Sequence, residues 1–212
     1  MEIVLASNNR GKLEELCALL NGTAIDCIPQ SDRGVPEVVE TGLSFVENAI
    51  IKARHASHFT GLPAIADDSG IEVDELNGAP GIRSARYAGD SASDADNTAK
   101  LLLGLSTTET DNRQARFRCE VVFVRHELDA SPVICSGTWV GRIAETPRGE
   151  NGFGYDPVFL VGNGQKSAAE LSAEEKNRIS HRGQALAQLV VRLKELGIGS
   201  SLGALQSGRK NL

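Results

Sequence analysis

Apolar positions in this chain come in short runs whose spacing alternates between the helical and the extended period. Ile3-Val4-Leu5-Ala6 predicts a short buried strand. Leu13, Leu16, Cys17 and Leu20 then form one stripe of a helix that Asn21-Gly22 closes. Residues 25–36 predict a strand followed by a polar loop, and residues 44–58 a helix that buries Val46, Ala49, Ile50, Ala53 and Ala56. Asn48 and Lys52, four apart, neighbour each other on a different face of that helix. Ala64-Ile65-Ala66 predicts a strand that meets Asp67-Asp68 and stops at Ser69-Gly70, with a second short run from Ile71 to Leu76. A helix is expected over 94–105, with Ala95, Thr98, Ala99, Leu102 and Leu105 as its apolar face, and a polar linker over 107–113. Residues 115–126 alternate, with Phe117, Cys119, Val121 and Phe123 on one side and Arg116, Arg118 and Glu120 on the other. A strand over 133–144 follows a short connector, so the two make an antiparallel hairpin and the sheet is mixed. Residues 158–161 predict another strand, Ser172 to Glu175 is a capping box, and the last helix packs Leu186, Leu189, Val190, Leu193 and Leu196. The pattern predicts one α/β domain over 1–196, with a flexible Gly/Ser-rich tail over 197–212.

Composition narrows the function. A formal net charge of −6 argues against a general nucleic-acid surface, which carries a basic stripe. A protein of this charge that handles polyanions must gather its cations locally or recruit a metal. No apolar run approaches the length of a membrane span, and the first residues lack the basic and apolar regions of a signal peptide, so a cytoplasmic protein without membrane partners is expected. Cys17, Cys27, Cys119 and Cys135 show no C-x-x-C spacing and are expected to be reduced thiols.

The candidate chemistry lies in the loops. Acidic residues beside a glycine at a strand end, as at Asp67-Asp68-Ser69-Gly70, are a place where α/β proteins hold a hard cation. Strand alternation sends the two carboxylates to opposite faces and gives them different jobs. A solvated turn accounts for the same four residues. Ser7-Asn8-Asn9-Arg10-Gly11-Lys12 joins a strand to a helix N-terminus, a natural phosphate cradle with Lys12 as a point charge, though not a Walker A loop. An N-cap by Ser7 or Asn8 is the plainer alternative. Glu40 precedes the second helix where a loop carboxylate can meet Asp67 or Asp68, while His55 and His58 are expected on the surface. The basic segment 82–89 is expected to cover a cleft. Glycines on both sides of Phe153 let a backbone approach a flat ligand while the ring stacks on it, or they form a turn whose aromatics plug the core edge. Lys176, His181 and Arg182 are open to the ordinary fate of solvated helix charges.

Taken in order, six blocks resemble one family. They are Ser7–Lys12; Glu40-Thr41-Gly42 with Glu47-Asn48-Ala49 and Lys52-Ala53; Ala66-Asp67-Asp68-Ser69-Gly70; Ala79-Pro80-Gly81 with Ser84-Ala85-Arg86-Tyr87; Phe153-Gly154-Tyr155-Asp156-Pro157; and Ser180-His181-Arg182. The chain is similar, from Ile3 to about Leu196, to the inosine triphosphate pyrophosphatases in their bacterial dITP/XTP pyrophosphatase form. Many members have Thr-Gly-Asn or Thr-Asn-Asn where this chain has Ser7-Asn8-Asn9, and the hydroxyl is kept.

The resemblance implies hydrolysis of ITP, dITP and XTP to the monophosphate and pyrophosphate, a Mg2+ cofactor, a homodimer, and a two-lobed fold around a long mixed sheet with the nucleotide in the cleft. It implies Glu40 and Asp68 as metal residues, with Asp68 also the base for the attacking water and Asp67 an assistant or a tuner of its neighbour. Ser7, Asn8, Asn9, Arg10, Gly11 and Lys12 would hold phosphates, with Lys52 as a further candidate. Ser69, Phe153, Gly154, Tyr155, Asp156, Lys176, His181 and Arg182 would bind the rest of the substrate. Three competing readings are a pyrophosphatase for other nucleotides such as pyrimidine triphosphates, a non-catalytic purine triphosphate sensor, and a nucleic-acid binder, which fits the charge worst.

Overall fold

The computed structural model describes residues 1–21, 23–162 and 164–199. Gly22, expected to help close the first helix, and the tail from residue 200 onward lie outside the described residues. In chain order the elements are β1 (Glu2–Leu5), α1 (Arg10–Leu20), β2 (Asp26–Pro29), α2 (Phe45–Thr60), β3 (Ala64–Val73) and α3 (Asp94–Gly104). Then follow β4 (Gln114–Val124), β5 (Val133–Ile143), β6 (Phe159–Val161), β7 (Lys166–Ser167), α4 (Ala173–Ile179) and α5 (His181–Glu195). The strands form one mixed sheet in the order β2-β1-β3-β4-β5-β6-β7. β1 runs parallel to both β2 and β3, and the remaining pairs are antiparallel.

β3 is the spine. It does not stop at Ser69-Gly70 as expected: it pairs with β4 in one unbroken register from Ala64↔Val124 to Val73↔Ala115. The glycine that suggests a turn serves a close approach instead. A Cβ on Gly70 would lie 2.4 Å from the Gly81 carbonyl and 2.5 Å from Ser84 Oγ, so only glycine lets the turn 81–86 lie on the strand. Ser84 Oγ accepts from the Ile71 amide at 2.9 Å, tying that turn to β3.

On its other side β3 pairs with β1 only at Val4↔Ala64 and Leu5↔Ile65, because β1 ends there and the chain swings into the turn before α1. From Ala66 onward that edge of β3 is therefore open. It is the point where connections diverge to β2 on one side and to β3 on the other, and such points are where α/β sheets bind ligands.

The core divides at the same place. Ile65 packs with Ile3, Leu5, Leu16, Leu20, Leu186, Leu189 and Leu193 on the face covered by α1 and α5. Ala64 and Ala66 pack with Ala49, Ala53 and Ala56 of α2 on the opposite face. Ile71 and Val73 belong to a separate cluster with Leu101, Phe117, Trp139, Tyr155 and Phe159. Each fully buried Leu, Ile or Phe side chain contributes about 1.5–3 kcal/mol. Residues 67–70 lie between these clusters, at the seam of two lobes.

Three helix faces differ from expectation. α2 buries Phe45 and Asn48 beside its alanines, leaving Val46 and Ile50 half-buried. α3 buries Thr98 as expected but exposes Ala95 and Ala99 and turns Asn97 and Leu101 inward. Leu196 follows α5 as its cap and is exposed, so the stripe ends at Leu193. Val158 lies in a short turn before β6.

Candidate active site

Alternation along β3 sends Asp67 and Asp68 to opposite faces, and the open edge lets both reach one cavity. Asp67 Oδ2 lies 2.9 Å from Lys12 Nζ of α1 and 3.4 Å from Arg182 Nε of α5, and accepts a hydrogen bond from Ser69 Oγ at 2.9 Å. Burial alone would raise its pKa, but Lys12 and Arg182 outweigh burial and hold the carboxyl well below the usual range. Asp68 faces α2, where Lys52 Nζ donates to Oδ1 at 2.8 Å and Asn48 Nδ2 stands 3.5 Å from Oδ2. Here burial wins, and the Asp68 pKa is raised despite Lys52 and Lys12. The shared face of Asn48 and Lys52 is thus the face that meets Asp68. Glu40 joins at 3.3 Å from Lys52 Nζ and 3.6 Å from the Arg86 guanidinium.

The turn after β1 forms the next wall. Asn9, not Ser7 or Asn8, caps α1, its side chain accepting from the Lys12 amide at 3.0 Å. Ser7 Oγ accepts from the Asn9 amide at 3.2 Å, and Asn8 bridges Gln30 and Glu37. Ser7, Asn8, Asn9 and Lys12 line the cavity. Arg10 and Gly11 are absent from its lining: Arg10 is exposed and pairs with Glu14 one turn along the helix. Gly11 has a packing task. A Cβ there would lie 2.7 Å from the Phe153 ring.

The far wall holds Phe153, Gly154, Tyr155, Asp156, Lys176, His181 and Arg182. The last three are not solvated helix charges, being 6%, 4% and 2% exposed. Ser180 ends α4 and caps α5, so the chain turns sharply and begins α5 with His181 and Arg182 facing inward. Lys176 Nζ donates to Asp156 Oδ2 at 2.7 Å and to Glu15 Oε1 at 3.0 Å. Arg182 pairs with Glu15 as well and donates to Ser69 Oγ at 2.9 Å. Lys176 Nζ also stands 4.6 Å from the centre of the Phe153 ring. The Tyr155 hydroxyl donates to Ser84 O at 2.8 Å. His181 stacks on Phe117 at 4.7 Å and 7°. Burial, then Arg182 and Lys176, push its pKa well below 6.5, so the imidazole is neutral.

Glu15 is a site residue that sequence reasoning missed; Asn48 was placed beside Lys52, and Ser84 and Arg86 in the segment expected to cover a cleft, without a role of their own. Glu15 had a signal, since it lies three residues after Lys12 and shares its face of α1. His55 and His58 stay outside the cavity, His55 bonded to Pro36 O and His58 to Glu127.

The cavity encloses about 680 Å³, within the range of small-molecule sites. Among the described residues, the two buried side-chain polar atoms without a partner are Asp67 Oδ1 and His181 Nδ1, both on residues of its wall. No group of three or more His, Cys, Asp or Glu side chains among the described residues makes a protein-only metal cage. Glu40 and Asp68, hard carboxylates bridged by Lys52, match the donor set of Mg2+, which takes one or two carboxylates and completes its shell with phosphates and water.

Similarity to known proteins runs along the whole described fold. The profile of the Ham1 family matches residues 3–192. The dITP/XTP pyrophosphatase of Thioalkalivibrio sulfidiphilus is 60% identical over 194 residues, 92% of this chain and 99% of that protein. That of Vibrio cholerae is 53% identical, covering 92% and 97%. The structure of a HAM1 protein from Coxiella burnetii is 54% identical and superposes with a TM-score of 0.86 over 92% of this chain and 99% of that one. The Staphylococcus aureus Ham1 protein, at 43% identity, gives 0.81 over 92% and 100%. With its sequence and its fold shared over 92% of its length with these proteins, the chain belongs to the Ham1 family.

Proposed function

We propose that this protein hydrolyses ITP, dITP and XTP to the nucleoside monophosphate and pyrophosphate, removing non-standard purines from the nucleotide pool. The observation that carries the reading is the seam itself. In a chain of net charge −6, one cavity gathers Lys12, Lys52, Arg86, Lys176 and Arg182 among seven carboxylates, two of which, Asp67 and Asp68, stand on opposite faces of one strand. The cations are concentrated locally, as a triphosphate requires. The names of the relatives, dITP/XTP pyrophosphatases at 53–60% identity, support the same substrate class.

Glu40 and Asp68 would hold Mg2+, which when bound neutralises phosphate charge and orients the phosphates. Lys12 and the turn Ser7–Asn9 hold the phosphate chain, with Lys52 beside them. Asp68 is the base. Of its two oxygens, Oδ1 is held by Lys52 at 2.8 Å, and Oδ2, with only Asn48 at 3.5 Å, is the one open to the proton. As water attacks phosphorus, its proton passes to Asp68, the α–β bridging bond breaks, and the electron pair leaves with pyrophosphate. Asp67 is unsuited to that task because Lys12 and Arg182 lower its pKa and leave it a weak proton acceptor. It orients those two cations instead.

Base choice follows from hydrogen-bond polarity. Hypoxanthine and xanthine present an accepting C6 carbonyl where adenine presents a donating amino group. Donors from Lys176, His181 or Arg182 aimed at that position leave adenine with two donors face to face, which rejects it. Phe153 supplies a flat face for the ring. A homodimer in the cytoplasm belongs to the same reading, supported by the family resemblance, and light scattering giving twice the chain mass tests the dimer. The reaction is tested by phosphorus NMR of the dITP products: dIMP and pyrophosphate in equal amounts are expected, whereas dIDP and phosphate contradict the reading.

A further inference from the structure

In the loop that carries Phe153, Gly152 and Gly154 flank the ring with left-handed backbones at φ 77° and 62°, and the Phe153 amide donates within the loop to Asp156 Oδ2 at 2.9 Å. The loop is also held from outside by α3. The Gly154 amide donates to Asp94 Oδ2 at 2.7 Å, and Thr98 Oγ1 lies 3.5 Å from Gly154 O. The same helix holds the opposite lip of the cavity. Buried Asn97 accepts from the Ala88 amide at 2.7 Å and donates to Ala85 O at 3.1 Å, and Lys100 Nζ donates to Tyr87 O at 2.6 Å. The Tyr155–Ser84 hydrogen bond then joins the two lips directly. This explains why α3 turns Asn97 inward beside Thr98 where the expected stripe has Ala95 and Ala99: its inner face is a brace for two loops.

We propose that Asp94 is a positioning residue, whose carboxylate clasps the Gly154 amide and so fixes the Phe153 ring over the cavity. What the ring stacks against rests on the nucleotide reading above; the clasp itself does not. Asp94 also stands in the first turn of α3, where a negative charge favours the helix, and that is the merely structural role the test has to separate. Asp94→Asn separates them, since it keeps an oxygen acceptor for Gly154 and removes the charge. Ser93→Ala weakens the α3 cap while leaving the clasp.

Hydrogen exchange of residues 149–157 in the nucleotide-free protein, with kcat and KM for dITP, is measured for Asp94→Ala, Asp94→Asn and Ser93→Ala. Asp94→Ala should speed exchange in the loop and raise KM about tenfold, the scale of a weakened base–aromatic stack, with kcat changed less than about twofold. Asp94→Asn should restore both, and Ser93→Ala should lower the melting temperature while leaving loop exchange and KM near wild type. Unchanged loop exchange in Asp94→Ala overturns the proposal, as does Asp94→Asn behaving like Asp94→Ala or Ser93→Ala reproducing the KM rise. The exchange measurement decides the clasp even if the wild-type protein turns over no purine triphosphate, so the two readings fail separately.

Discussion

Asp67 and Asp68 are neighbours in the chain and on opposite sides of the sheet: the first meets Lys12 at 2.9 Å and the second Lys52 at 2.8 Å. Two adjacent carboxylates in one cavity would ordinarily repel each other. Here strand alternation assigns each its own lysine, and the two are driven apart in acidity, Asp67 downward and Asp68 upward.

That asymmetry predicts different fates for the two isosteric amides. Asp67→Asn leaves Lys12 without its counter-charge, while Arg182 keeps Glu15, and removing one partner of a buried pair costs about 3–5 kcal/mol. Asp68→Asn leaves Lys52 still paired with Glu40 and should fold with near-normal stability, yet lose turnover by about a hundredfold or more. Urea unfolding and dITP turnover, measured on both variants, check the contrast. An Asp68→Asn enzyme with most of its wild-type rate would remove Asp68 from the chemistry.

His181 predicts a slope of stability with pH. Its folded pKa is lowered well below 6.5, so between that value and 6.5 the unfolded chain binds the extra proton and stability rises with pH. The contribution is therefore present above about pH 6.5 and is lost as pH falls, by up to about 1.4 kcal/mol per unit. Denaturant midpoints at pH 7.5 and pH 5.5 should differ less in His181→Gln than in the wild type. His181→Ala should also lower the preference for dITP over dATP, and an unchanged ratio would take His181 out of base recognition.

Gly11→Ala tests the packing of the mouth. Alanine gains about 1 kcal/mol of helix propensity over glycine, while a methyl group 2.7 Å from the Phe153 ring forces the ring to move. Overpacking costs about 1–3 kcal/mol, so the propensity gain offsets part of it and the net loss of stability should be about 0–2 kcal/mol. The displaced ring should still lower kcat/KM for dITP by about tenfold. Equal kcat/KM in both proteins would show that the ring position does not matter.

Much of this was legible along the chain. Period-2 alternation separated Asp67 from Asp68, and helical spacing put Asn48 beside Lys52, because those rules depend only on backbone geometry. What was not legible depended on what packs against an element. Gly70 resembles a turn until the segment 81–86 is seen lying on it. Lys176 and Arg182 resemble surface charges because their partners, Glu15 and Asp67, are more than a hundred residues away in the chain. The inward face of α3 is polar because it braces loops, and a count of apolar residues cannot find such a face.

The proposed activity is hydrolysis of purine triphosphates that carry a C6 carbonyl and lack the 2-amino group, with Mg2+ as the proposed cofactor. The most direct measurement is pyrophosphate release from dITP, XTP, dGTP, dATP and dTTP, each with Mg2+ and with EDTA. Release from dITP and XTP far above the other three, abolished by EDTA, is the predicted result. Release from none of them by folded protein, or equal release from dATP and dTTP, would contradict it.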